Sequence, residues 1–358
     1  MQDASLVEAV ERLAREAASW VAKELARTAD PSNEATASEP RYQTENDLVY
    51  LIQILLSSLA TAHTACFTSY LQWLRTTLTS RGTTCDKISQ SLVLLLMFFE
   101  SHLSARQAAK VTPILRAGLM ALGSPRDGDA TSAAASDDSA WPEASALSRR
   151  LIVGDLAGAR SVVSDVVEQR RDYLAVSVHL LQPALYIVGE YWQRNQASIA
   201  HANMAFEIGR ILLSEVLSLL SPRVSENGRS IILAAVESDR HFLGAQIVTT
   251  AFDMAGWKAT CLNSSFRTSS LIQLIDRHRP DAIGLSVSLL QQLPTLKLTV
   301  QRLRAEFGSR CPTIMVGGRP TNEVEDIWRW TGADAWAASA ETAVAQLTLP
   351  AVRRQRGL

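Results

Sequence analysis

Apolar residues recur at helical spacing from the start of the chain. Between residues 3 and 28 they fall at Leu6, Val10, Leu13, Ala17, Val21 and Leu25, one stripe of an amphipathic helix. "DPSNEATASEP" (30–40) breaks the pattern with two prolines and small polar residues and reads as a loop. Helical text resumes from Asp47 to about Leu122 and suggests three helices, with turns at "SRGTTCD" and at "VTP" (111–113). Residues 123–145 are rich in Ser, Ala, Asp and Gly and form the best linker candidate. A second helical block follows, with segments Ala146–Val153, Leu156–Glu168, Arg171–Gln193 and Ile199–Leu220. Their short connections favour antiparallel packing.

From Ser230 the period changes. "SIILAAV", "KATCLN", "DAIGLSV", "TIMVGG" and "DAWAAS" are short apolar runs of strand length, separated by helical stretches at 243–256, 269–279, 294–307, 321–330 and 340–347. Alternating strands and helices, with strands apolar on both faces, predict a parallel sheet wrapped by helices. Ligands of such sheets bind beyond the carboxyl ends of the strands.

Composition narrows the function. The net charge of −1 supplies no basic field for nucleic acid, and direct nucleic-acid binding is not expected. The longest wholly apolar run, Leu92–Phe99, is far short of the roughly 20 residues that span a bilayer, so no membrane segment is expected. The acidic, amphipathic start is unlike a signal peptide. Cys66, Cys85, Cys261 and Cys311 show no CxxC pairing and read as free thiols of a cytoplasmic protein.

Three strand ends carry candidate chemistry. The first runs Glu237-Ser238-Asp239-Arg240-His241-Phe242-Leu243-Gly244, the third holds Ser286-Val287-Ser288, and the fourth ends in Gly317-Gly318. Adjacent parallel strands bring these loops to one edge. A histidine there can act as base, proton shuttle or metal ligand. An aspartate two residues earlier can accept its other ring N–H and fix the tautomer. Asp239 also suits a helix N-cap by residue type. The glycines allow close approach of a ligand. No cluster of further ligands surrounds His241, which argues against a closed zinc site.

Asp239-x-His241-x-x-Gly244, then 41 residues (245–285), Ser286-x-Ser288, 28 residues (289–316) and Gly317-Gly318 resemble the cobalamin-binding motif DxHxxG…SxL…GG. Ser288 stands where that motif has leucine. The resemblance implies a vitamin B12 domain of the base-off/His-on type, with His241 as lower ligand of the cobalt, Asp239 orienting it, and Gly244, Ser286, Ser288, Gly317 and Gly318 along the channel for the nucleotide tail. "LIVGDLAGARSVVSDVVEQ" (151–169) and "LQPALYIVGEYWQRNQASIAHANMAFEIG" (181–209) resemble the four-helix cap over the upper corrin face. The fold class that follows is multidomain, α and α/β. It has an N-terminal helical domain (1–122), a linker (123–145), a four-helix-bundle cap (146–222) and a C-terminal Rossmann-like domain (229–350) with helices on both faces of a parallel sheet.

Methyl-carrying corrinoid proteins share this layout, but "VGEYW…SIA" is more similar to the B12-binding photoreceptors. That resemblance places Trp192 over the upper face beside an adenosyl group, although ordinary helix packing would also use it. Photoreceptors of this branch follow their tryptophan with Glu-His ten and eleven residues on. Here those positions are Ala202 and Asn203. Asn203 is a poor cobalt ligand, and the nearby His201 points about 200° around the helix from it.

In the N-terminal third, "LATAHTACFTSYLQWLRTTLTSRG" (59–82) places His63, Phe67, Tyr70 and Leu74 at i, i+4, i+7 and i+11, one helical face, with Cys66 and Trp73 near it and Arg75 further round. This is either a core stripe or the wall of a second pigment site. The arrangement of helical domain, linker and B12 module resembles the photocobilins, sensors that combine cobalamin with biliverdin. His63, Tyr70, Trp73 and Arg75 are then the candidates for a linear tetrapyrrole. The expectation is a light sensor rather than an enzyme, loaded with adenosylcobalamin or methylcobalamin. Its signal would pass through a light-dependent homo-oligomer or a downstream protein. The rivals are a corrinoid protein carrying methyl groups for a methyltransferase, and a non-photic B12 or haem redox sensor.

Overall fold

The computed structural model describes residues 2–28, 45–123, 140–220, 225–237, 239, 241–262, 266–323 and 326–348. The chain divides into two compact units, residues 1–128 and 129–358. The predicted 30–40 loop and most of the predicted 123–145 linker lie outside the described residues.

The first unit holds α1 (Gln2–Thr28), α2 (Glu45–Thr61), α3 (Thr64–Thr79), α4 (Asp86–His102) and α5 (Ala105–Gly123). Its core takes the predicted α1 stripe, with Leu6, Val10, Ala17 and Val21 buried. Residues 45–123 form four helices where three were expected. Two breaks were not foreseen: Leu103–Ser104, between α4 and α5, and Ala62, which takes φ 59°. Thr61 Oγ1 donates to the Ser57 carbonyl at 2.8 Å and accepts from His63 N at 3.3 Å, closing the turn. "VTP" is not a turn: Pro113 lies inside α5 on its exposed side. Its missing N–H frees only the carbonyl of the exposed Ala109, which water can satisfy. Gly118 lets α5 approach α3, since a Cβ there would meet Leu71 Cδ1 and Phe67 Cε1 at 2.6 Å.

The second unit opens with four helical rods. They are α6 (Glu143–Ile152), α7 (Leu156–Arg170), a rod made of α8 (Tyr173–Val176), a π turn (Ser177–Leu181) and α9 (Gln182–Gln193), and α10 (Ile199–Leu220). Asp155 caps α7 by accepting from Gly158 N at 2.8 Å, and Asp172 caps α8 through Ala175 N at 3.0 Å. Pro183 explains the π turn. It has no N–H for the carbonyl four residues back, so the His179 carbonyl instead accepts from Trp141 N at 2.9 Å and ties in the chain entering α6.

The α/β part follows: β1 (Ser230–Ala235), α11 (Leu243–Met254), β2 (Lys258–Leu262), α12 (Thr268–His278), β3 (Ala282–Ser286), α13 (Leu293–Phe307), β4 (Thr313–Gly317), α14 (Arg319–Glu323), α15 (Ile327–Thr331), β5 (Ala335–Ala337) and α16 (Ala340–Thr348). The five strands are parallel in the order β2-β1-β3-β4-β5. β1, β3 and β4 are buried, as their apolar text requires. β2 departs from the expectation: it is an edge strand whose residues are all exposed or half-buried. The predicted 321–330 helix is two short helices, α14 and α15. Helix α11 packs beside α16, and α12 beside α13.

Strand order reverses between β1 and β3, and that crevice is where ligands of such sheets bind. The cap and the α/β part share one apolar cluster. Leu147, Leu181, Ala205 and Leu212 of the cap join Ile247 and Ala251 of α11 and Ala340 of α16. The helix that begins two residues after His241 is therefore seated on the cap. Among the described residues no helix is long and apolar enough to cross a membrane.

Candidate functional site

The register aligns the strand ends. Ala235 of β1 pairs with Ser286 of β3, Ser286 with Gly317 of β4, and Gly317 with Ala337 of β5. Just past this row the chain continues its ladder, with Val236 N donating to the Ser286 carbonyl at 2.9 Å and Val287 N to the Gly317 carbonyl at 3.0 Å. The three predicted loops thus leave the sheet side by side.

Asp239 lies at the switch point and is 0 % exposed. Its Oδ1 meets His241 Nδ1 at 2.8 Å and accepts from His241 N at 3.0 Å, and its Oδ2 accepts from Ser288 N at 2.9 Å. Burial pushes this carboxyl up, but the hydrogen bonds from the His241 ring, the His241 backbone and Ser288, with the attraction of the ring, outweigh it and hold the group below the ordinary carboxylate range. An ionised carboxylate only accepts, so Nδ1 carries a proton, and in the neutral form of the ring the lone pair lies on Nε2. The His241 side chain is 54 % exposed. The pair is an oriented imidazole presented outward from a buried carboxylate. Asp239 does not cap α11, whose N-cap is Phe242 without a side-chain bond.

The glycines fit the same purpose. Gly318 has φ 111°, and a Cβ there would strike the Val287 carbonyl oxygen, so the β4 loop packs on the β3 loop only with glycine. Gly244, in the first turn of α11, has open space where a Cβ would stand. Ser286 and Ser288 are half-buried. Ser288 contributes its backbone N–H to Asp239, a role indifferent to the serine that stands where the motif has leucine.

These residues suit a corrinoid lower-ligand site: one imidazole fixed through its far nitrogen, beside an unobstructed glycine at a crevice. No group of three or more His, Cys, Asp or Glu side chains among the described residues could cage a bare metal ion.

In the cap, Trp192 is half-buried against the helical core and Asn203 is exposed on α10. His201 is engaged at the start of α10. Its Nδ1 accepts from Ser198 N at 3.3 Å, while His201 N donates to Ser198 Oγ at 3.2 Å.

The N-terminal candidates separate. His63 is the N-cap of α3, outside the helix, so it does not share the predicted face with Tyr70. The turn at Ala62 displaces it. Phe67 is fully buried. Tyr70 stacks on Trp73 with centroids 5.9 Å apart and meets Tyr50 at 5.8 Å. Burial, then the nearby Tyr50 and Asp47, push the Tyr70 phenol far up. Arg75 lies close enough to Cys85 to favour its thiolate, although burial dominates and raises that thiol.

Gln292 escaped the sequence reading, and Glu237 was quoted there without a role. Gln292 Oε1 accepts from Ser288 N at 3.2 Å and Leu289 N at 3.0 Å. Glu237 Oε2 accepts from Thr268 N at 3.2 Å and Thr268 Oγ1 at 3.1 Å, tying the His241 loop to α12. Neither has a spacing signature. Only the Glu237 position, directly after an apolar strand, gave a hint.

Comparison with known proteins agrees with this geometry. Family models described as B12 binding domain match residues 144–215 and 229–348. A corrinoid protein of Desulfitobacterium hafniense (strain Y51) is 25 % identical over 207 residues, covering 55 % of this chain and 92 % of that protein. Dimethylamine corrinoid protein 1 of Methanosarcina acetivorans is 26 % identical over 213 residues, covering 56 % and 97 %. The HTH-type transcriptional repressor CarH of Myxococcus xanthus is 25 % identical over 215 residues, covering 59 % and 68 %. Among solved structures, the monomethylamine corrinoid protein of Methanosarcina barkeri aligns at a TM-score of 0.49 and 22 % identity, over 57 % of this chain and 97 % of that one. The two matched regions together take in more than half of the chain, and their B12 binding domains mark it as a cobalamin-binding protein.

Proposed function

We propose that this chain is a light sensor that binds an alkylcobalamin, with His241 as the lower ligand of the cobalt. The observation that carries the ligand assignment is the buried Asp239 holding Nδ1 of an exposed imidazole. Cobalamin supplies a photolabile cobalt–carbon bond when bound. The chain's own part is mechanical. Asp239 fixes the imidazole, Gly244, Ser286, Ser288, Gly317 and Gly318 shape the channel at the strand ends, and the cap carries Trp192 and Asn203. Because α11 is shared with the cap core, a change in contacts at the cap reaches the helix that follows His241. Ligands shift conformation only by contacting two states differently, and the upper alkyl group is the contact that light removes. The signal then passes to a second copy or a downstream protein.

Adenosylcobalamin is the favoured form, since Trp192 offers a half-buried aromatic face. Biliverdin as second chromophore belongs to the same reading, and the Tyr50–Tyr70–Trp73 aromatic run supports it better than His63 does. A second reading, a methyl carrier for a methyltransferase, is favoured by the similarity to methylamine corrinoid proteins. The test is the absorption spectrum of the full chain loaded with adenosylcobalamin, in the dark and after green light, with His241→Ala alongside and biliverdin added last. Photolysis with a change in molecular mass supports the sensor. Dark methyl exchange with a partner enzyme, and no change of mass in light, supports the carrier.

A further inference from the structure

We infer that Gln292 is a positioning residue for the cobalt ligand: its side chain pins the loop after β3, and that loop supplies the N–H that holds Asp239 against His241. The inference rests on reading His241 as the lower ligand.

The connection is continuous. Gln292 is 9 % exposed and immediately precedes α13. Its Oε1 accepts from Leu289 N at 3.0 Å and Ser288 N at 3.2 Å. The Ser288 N–H is forked, and its shorter branch runs to Asp239 Oδ2 at 2.9 Å. The opposite oxygen, Oδ1, receives both His241 hydrogen bonds. Asp239 is therefore held from two sides, by the loop that carries the histidine and by the loop that Gln292 pins.

Packing alone does not hold that second loop. Leu289 is 40 % exposed, so the loop buries little apolar surface at its tip. Its backbone is tied upstream by Val287 N to Gly317 and downstream by Gln292 N to the Leu289 carbonyl at 3.0 Å. Between those ties the only side-chain acceptors on the Ser288 and Leu289 N–H groups, among the described residues, are Asp239 and Gln292. Without the Gln292 oxygen, water competes for both N–H groups, and the Ser288 donor is no longer fixed where the carboxylate needs it. An unanchored carboxylate orients the imidazole less sharply, and partners behind a metal-bound histidine typically change metal affinity by about 10–100-fold. Gln292 stands one step further back, so the expected effect is about three- to tenfold.

The test uses the full chain loaded with methylcobalamin in the dark at a fixed, mildly alkaline pH. Gln292→Leu is expected to release the corrinoid about three- to tenfold faster and to show a mixed spectrum, part histidine-ligated and part not. Gln292→Asn keeps an amide but withdraws its oxygen by one methylene, and should move both readouts the same way by less. A merely structural role would lower the melting temperature of the apo chain in the Leu and Asn variants without a mixed spectrum, and would overturn the inference. A fully ligated spectrum with wild-type release in the folded Asn variant would overturn it too. If wild type itself lacks the histidine-ligated spectrum, the ligand assignment fails, and the inference with it. A normal wild type with unaffected variants refutes Gln292 alone.

Discussion

Asp239→Asn is the sharpest perturbation of the site, because it removes one charge and changes almost no volume. The carboxylate is fully buried and accepts three hydrogen bonds, at 2.8, 2.9 and 3.0 Å. Asparagine has one acceptor oxygen. If that oxygen stays with His241, its NH₂ group faces the Ser288 N–H, donor against donor. If it turns to Ser288, the clash falls on the ring N–H. Either way at least one charge-assisted bond is lost, worth about 1.5–3 kcal/mol. In the loaded protein the loss appears as weaker retention. About 10–100-fold is expected for a partner behind a ligating histidine, which converts to about 1.4–2.7 kcal/mol. Equilibrium dialysis of methylcobalamin against the full-length variant and wild type measures it.

The apo chain gives an independent check through pH. The native carboxyl lies below its ordinary range, so its ionisation is favoured by folding. That contribution is complete at neutral pH, begins to fade near the ordinary carboxylate value of about 4, and is lost as pH falls through the native value. Urea titrations carried from neutral pH down to below about 4 should show a steeper loss of stability in wild type than in Asp239→Asn. Equal cobalamin affinity in the two proteins, with parallel pH curves, would refute the argument that a buried ionised carboxylate orients this histidine.

Other expectations follow from the same geometry. Gly318→Ala must adopt φ 111° against the Val287 carbonyl; backbone strain alone is of order 1–3 kcal/mol, and urea unfolding should show at least that loss together with weaker corrinoid uptake. Trp192→Ala should still bind cobalamin through His241 but lose the light-dependent change in mass seen by size-exclusion chromatography; an unchanged shift would remove Trp192 from the signalling path. Asn203→His places an imidazole on the exposed side of α10, and if that position meets the upper corrin face, the spectrum after illumination should differ from wild type. An identical spectrum would put residue 203 away from the cobalt.

The α/β half was readable almost strand by strand, because buried parallel strands leave contiguous apolar text and glycine or charged residues mark their ends. β2 was read with the buried strands although "KATCL" carries Lys258 and Thr260 and is less apolar than its neighbours, a local mark of an edge strand. The Asp-x-His spacing was legible since both residues share one short loop. Gln292 was not, because its role is to accept backbone N–H groups, which leave no pattern in side-chain text. The helical third was read less well. The stripe at i, i+4, i+7 and i+11 began at His63, directly after Ala62, where the hydroxyl of Thr61 closes a turn that periodicity cannot see, and Pro113 was taken for a breaker although its exposed face tolerates the missing bond.

The central claim is that the His241 imidazole reaches the cobalt. Electron paramagnetic resonance of the full chain loaded with cob(II)alamin tests it directly, in protein grown with ordinary and with ¹⁵N-labelled histidine. A single axial ¹⁴N splits each cobalt line into a triplet. The account predicts that labelling turns these into doublets, and that the effect disappears in His241→Ala. Triplets that persist in the labelled wild type would mean that the corrinoid's own base, or some other nitrogen, holds that position, and would contradict the account.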